Sequence, residues 1–155
     1  MSHVATIEIE IKDLEALGSA CEALGLELVH GQKTYNWYGR SVGDSPLPAG
    51  FTVEELGKCE HAIRIKGTSM NGKVDHRMPY EIGIAKRRDG REGYALLWDT
   101  WNGGNGLVEK VGDTRAMGLV QGYSTEVAVR HMQRKGYRVV KREVKDGHIY
   151  ITTQK

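Results

Sequence analysis

Hydrophobic and polar positions set the first three elements. Residues 4–11 alternate apolar and charged side chains from Ile7 onward, the two-residue period of a half-buried strand. Asp13 then offers a helix N-cap, and Leu14, Leu17, Cys21 and Leu24 fall on one helical stripe that Gly25 closes with a left-handed C-cap. Leu26–Val29 resumes as a second strand, so the opening is β-α-β. Residues 33–38 have the aromatic and β-branched content of another strand. Gly43, Pro46, Pro48 and Gly50 then mark an irregular insertion over about 39–57, in which Val53–Leu56 predicts one helical turn.

The middle returns to period two. Alternation over 61–66 and again over 80–86 predicts two strands, with turn-like sequence from Gly67 to Met78 between them. Asp89-Gly90 is a hairpin signal that leads into a strand over 93–98. From Thr114 to Lys135 the chain reads as helical, with Val120, Tyr123, Val127 and Met132 as its apolar stripe. Gly118 and Gly122 weaken the first half, and Ser124 or Thr125 offers an alternative start. Gly136 ends the helix, and residues 137–144 and 148–153 make a hairpin about Asp146-Gly147. The whole is one α+β domain spanning 1–155, with a mainly antiparallel sheet of about six to eight strands and two principal helices. Helices packed on one face leave the other for the insertion or a second subunit to cover, so a homo-oligomer is expected.

A length of 155 residues suffices for a core without disulfides or metal. Glycine, at 20 residues, is well above the usual share of roughly 7%, which directs attention to turns. The net charge of +2 is too balanced to imply nucleic acid by itself, but its distribution is uneven. Residues 1–30 carry one lysine against six acids, and residues 109–155 carry ten Lys/Arg against five acids. Either the two ends neutralise each other across adjacent elements, or the second is a basic face for an anionic ligand or acidic partner. No leader and no run of about 18 apolar residues is present, so the chain is read as cytoplasmic, with no membrane association and with Cys21 and Cys59 as free thiols.

The most distinctive stretch is Trp98-Asp99-Thr100-Trp101-Asn102-Gly103-Gly104-Asn105-Gly106, which holds two of the three tryptophans. It predicts the end of a buried strand and a sharp turn where backbone and ligand meet. It lacks the Gly-Lys-Ser/Thr ending of a phosphate loop. Cys59-Glu60-His61 supplies at most two metal ligands from one strand face, short of the four a structural zinc needs. Asp75-His76 has no third member, the remaining histidines are scattered, and no catalytic residue, metal or cofactor is assigned. Arg64, Arg77 and Arg88, with Tyr38, Trp98, Asp99, Trp101 and Asn102, form the candidate ligand-binding set: arginine forks grip phosphate and aromatics stack on bases.

Several marks together resemble the hypothetical chloroplast reading frame thirty-five family of plastids and cyanobacteria, a domain of unknown function also found in bacteriophages. They are Met1-Ser2-His3, Ile11-Lys12-Asp13-Leu14-Glu15-Ala16-Leu17, Leu24-Gly25, Trp98-Asp99, Trp101-Asn102-Gly103, Tyr123, Gly136, Asp146-Gly147 and Ile149. The resemblance covers both ends of the chain and not residues 35–90. It implies an accessory protein with a protein partner, for which an AAA-type ATPase is a candidate because some members occur beside one, and a host-cytoplasmic setting if the chain is phage-encoded. Three functions follow in order: a non-enzymatic binding or adaptor protein, a binder that sequesters a nucleotide-type ligand such as a cyclic nucleotide, and a small hydrolase.

Overall fold

The computed structural model describes residues 4–39, 47–68, 74–75 and 77–155. Strand β1 (Val4–Ile11), helix α1 (Leu14–Ala23) and strand β2 (Leu26–His30) realise the opening. The Asp13 carboxylate accepts from Ala16 N at 3.0 Å, and Gly25 takes the left-handed φ of 75° expected of it. Strands β1 and β2 do not pair. They form the two edges of a five-stranded antiparallel sheet of order β1-β5-β4-β3-β2, whose middle is β3 (His61–Ile65), β4 (Ile82–Lys86) and β5 (Tyr94–Asp99).

One face of the sheet carries the helices: α1, the short α2 (Leu107–Val111), which the sequence did not announce, and α3 (Met117–Arg134). Leu17, Cys21, Leu107, Val111, Leu119 and Tyr123 pack there with Ile7, Ile63, Ile82 and Trp98. The stripe read for α3 is shifted. Tyr123 is buried, but Val127 is 39% exposed, and Leu119, Thr125 and Val129 are turned inward instead. Counting large apolar side chains missed a contact built from small ones. A Cβ on Gly122 would stand 3.3 Å from Ala20 Cβ on α1, and one on Gly118 would meet Val111 O at 2.8 Å. The glycines that lower helix propensity let α3 approach α1 and α2, and the helix runs unbroken through Ser124 and Thr125.

The insertion and the residues that lead into it cover the other face. Tyr35, Trp37, Phe51 and Leu56 pack on Val4, Ala85 and Leu97. The alternation read over 80–86 therefore does not survive: Tyr80 to Ala85 are all buried, because β4 is central and covered on both sides. Residues 33–38 are not a strand either, apart from one bridge from Thr34 to Lys58. Tyr35, Asn36 and Trp37 are all buried, yet their backbone finds single, scattered partners instead of a ladder. Tyr35 N donates to Gly57 O and Glu81 N to Asn36 O. The helical turn appears at Val53–Glu55 as a 3-10 turn; Gly43, Pro46, His76 and Met1–His3 lie outside the described residues. Of the two covers expected for this face, the insertion or a second subunit, the chain itself supplies the first.

The remaining strands, β6 (Arg138–Lys145) and β7 (His148–Gln154), form a separate two-stranded ribbon after α3. Asp146 and Gly147 turn it with φ of 52° and 75°. The seven strands among the described residues are thus divided five and two, in an α+β fold. No helix among the described residues is long and apolar enough to cross a membrane.

Candidate functional site

Strand β5 delivers Trp98 into the helix-side core, where it is 2% exposed, and Asp99 into the opposite side of the sheet end, where it is fully buried. The Asp99 carboxylate accepts from Trp101 N at 2.9 Å and from Tyr38 N at 3.3 Å, tying the segment that leads into the insertion to the end of β5. Four successive residues then adopt left-handed backbone: Asn102 (φ 52°, ψ 35°), Gly103 (65°, 18°), Gly104 (61°, 25°) and Asn105 (54°, 41°). Non-glycine residues visit this region singly, at about 1–2 kcal/mol each, so a full left-handed turn is strained unless its surroundings hold it.

The surroundings do hold it. Gly104 O accepts from Tyr80 N at 2.9 Å, and Gly103 N donates to Thr100 O at 3.0 Å. Asn102 Nδ2 donates to Asn105 Oδ1 at 3.0 Å, while Asn105 Nδ2 reaches Met78 O at 2.9 Å. Both asparagines therefore close the turn with their side chains, the local bonding that makes Asn tolerable at positive φ. The product of this bracing is Trp101, 39% exposed at the foot of the turn, its ring edge-on to Tyr38 at 5.2 Å between centroids. An exposed indole set against Tyr38 on a braced backbone loses less conformational freedom on meeting a partner, which is the profile of an interface anchor.

Beneath the turn, Tyr80 is fully buried, and its hydroxyl has no hydrogen-bond partner among the described residues. Burial first, then the charges of Asp99 and Tyr38, push this phenol up to about 12, so it stays protonated. Asn36 is a second brace that sequence reading missed. Its amide donates to Asp75 O at 2.9 Å and Pro79 O at 2.9 Å, and its Oδ1 accepts from Asp75 N at 2.8 Å. Glu81 accepts from Asn36 N at 2.7 Å and from Gln32 Nε2 at 3.1 Å, and burial raises its carboxyl above the usual range. A polar residue inside an aromatic run was the one available signal for Asn36.

Of the candidate set, Tyr38, Trp98, Asp99, Trp101 and Asn102 come together at this end of the sheet. The arginines do not join them as a pocket. Arg64 is held by Glu27 across β2 and β3 at 2.8 Å, and Arg77, on the same side as the turn, by Asp75 at 3.0 Å. Arg88 pairs with Glu55 and lies over the Phe51 ring, 4.8 Å from its centroid. Arg64 stands on β3, whereas Arg88 lies past the end of β4 in the turn toward β5. The aromatic-plus-arginine pocket is not assembled by these side chains.

The other clusters have structural work. Cys59 Sγ donates to Gln32 O at 3.2 Å, and burial pushes its thiol up to about 12, far from a nucleophile. Glu60 accepts from Lys86 N at 3.0 Å, and His61 Nδ1 accepts from Gly31 N at 2.9 Å. Among the described residues no three His, Cys, Asp or Glu gather as metal ligands. The charged ends meet in part: Arg130 reaches Glu15 at 3.3 Å and Arg134 reaches Asp13 at 3.9 Å. Comparison with protein-family models, with curated proteins and with solved structures gave no match to this chain.

Proposed function

We propose that this chain is a non-enzymatic binding protein that engages a protein partner, with Trp101 on its left-handed turn as the anchor. The observation that carries this reading is the combination of a strained, heavily braced turn with an exposed tryptophan at its foot. Strain of this kind clusters where a fold holds a group for recognition, and tryptophan is enriched among the few residues that dominate interface energy. The resemblance to the plastid and phage family agrees with an adaptor role and offers an AAA-type ATPase as the partner. The nucleotide reading has less support, because Arg64, Arg77 and Arg88 are each engaged by a separate acid.

The test is retention of partners from extracts of the cells that express the protein, on immobilised wild type and Trp101→Ala. A protein retained by wild type and lost by a folded Trp101→Ala supports the reading. Equal retention by both refutes it. Calorimetric titration of the same two proteins with mono-, di- and cyclic nucleotides separates the alternative: heat from wild type that Trp101→Ala abolishes makes the anchor a ligand-stacking ring instead.

A further inference from the structure

Away from the Trp101 turn, we propose that the outer edge of β6 is a second docking surface, and that it takes an extended acidic segment of another protein as a third strand of the ribbon. Strands β6 and β7 pair only with each other among the described residues. A two-stranded ribbon is marginal by itself, and three strands with an apolar face are what give such a unit independent stability. The ribbon is steadied from one side by α3, where Arg142 holds Glu126 at 2.6 Å. Among the described residues no strand pairs with the other edge of β6. Every β6 residue except Val139 is exposed, whereas β7 alternates exposed and half-buried positions.

Charge selects the occupant. Residues 135–155 carry six Lys/Arg against Glu143 and Asp146. Four of the six stand on β6, on both faces of the strand: by register Lys141 and Lys145 share the side of Tyr150, and Arg142 that of Ile151. Lys145 has no acid within ion-pair distance among the described residues, and Lys141 reaches only Glu143 of its own strand, at 3.6 Å. Val140 and Val144, 51% and 53% exposed, lie on the same strand. A strand alternating acids with aliphatic residues would complete the backbone ladder, neutralise the cations and cover both valines. A second ribbon of the same chain would bring like charges together, which disfavours self-pairing.

The experiment uses the full chain, labelled with nitrogen-15, and a synthetic peptide of about ten residues, the upper end of strand lengths and enough to span the 8 residues of β6, alternating Glu and Val. Shifts confined to the amides of 138–145, loss of binding when alternate peptide amides are N-methylated, and an affinity about tenfold lower in Lys141→Glu/Lys145→Glu are expected. Thermal melting verifies that the variant folds; if it does not, Lys141→Gln/Lys145→Gln replaces it. Shifts elsewhere, equal binding of the N-methylated or a Lys-Val peptide, indifference to the substitutions, or no binding at all overturns the proposal. So does tighter binding of a short DNA duplex, or a dimer in sedimentation that the peptide does not dissociate.

Discussion

Replacing Gly103 by alanine measures the left-handed turn through the sign of its effect. A Cβ at Gly103 would meet nothing within 4 Å, so no steric contact confuses the result. Its φ of 65° is the region where a side chain crowds the following carbonyl, at about 1–2 kcal/mol. The unfolded chain loses freedom on Gly→Ala, which returns about 0.4–1 kcal/mol. The net expectation is destabilisation by about 1 kcal/mol, read as a lower urea midpoint with an unchanged slope. Gly18, inside α1 and also without neighbours within 4 Å, is the control: there alanine removes a helix-interior glycine and is expected to stabilise by about 1 kcal/mol. If Gly103→Ala stabilises as Gly18→Ala does, the backbone there is right-handed and the strain reasoning fails.

Gly83→Ala would place a Cβ 2.3 Å from Tyr35 Cδ1, so it is expected to lift the Tyr35 segment off β4 and cost about 3 kcal/mol in denaturant unfolding. Adding Tyr35→Leu should recover part of that loss, and strict additivity would contradict the contact. For Glu81 the buried carboxyl has a raised pKa, so between the ordinary carboxylate value and the folded one the native state binds more protons than the unfolded state. Its contribution to stability therefore falls as pH rises through that window, and the difference between wild type and Glu81→Gln, followed by urea unfolding, should show this slope. His61 has the opposite sign. Burial, then His30 and Lys33, lower its pKa below about 6.5, so its contribution is present above the ordinary histidine value and is lost as pH falls toward the folded value. Nitrogen-15 titration of the ring checks this, with Nδ1 unprotonated at neutral pH.

Sequence reading succeeds here wherever a local rule acts alone. The Asp13 cap, Gly25, Gly136 and the Asp146-Gly147 turn are set by backbone chemistry within a few residues and were legible. It fails where a distant segment decides the environment. β4 looks alternating until the insertion lands on its second face, and residues 33–38 look like a strand until Gly57, Glu81 and Asp99 take their backbone bonds. The α3 face was misplaced because glycine and alanine carry no hydrophobic signal, although they set how closely helices approach. In the site, the Trp-Gly segment was legible as a turn, but four consecutive left-handed residues were not, since two of them are asparagine. Nor does composition reveal which acid holds which arginine: Glu27 holds Arg64 and Glu55 holds Arg88.

The most direct test of Trp101 as an anchor rather than a core residue sets it against Trp98, three residues earlier and 2% exposed. Melting temperature and partner retention are measured together on Trp98→Ala, Trp101→Ala and Trp101→Phe. Trp98→Ala should lose about 3–5 kcal/mol as a vacated core position. Trp101→Ala should lose no more than about 1.5 kcal/mol, the worth of its ring contact with Tyr38, and yet release the partner. If Trp101→Ala unfolds the protein as Trp98→Ala does, and Trp101→Phe changes neither stability nor retention, the turn is structural and the proposed function is wrong.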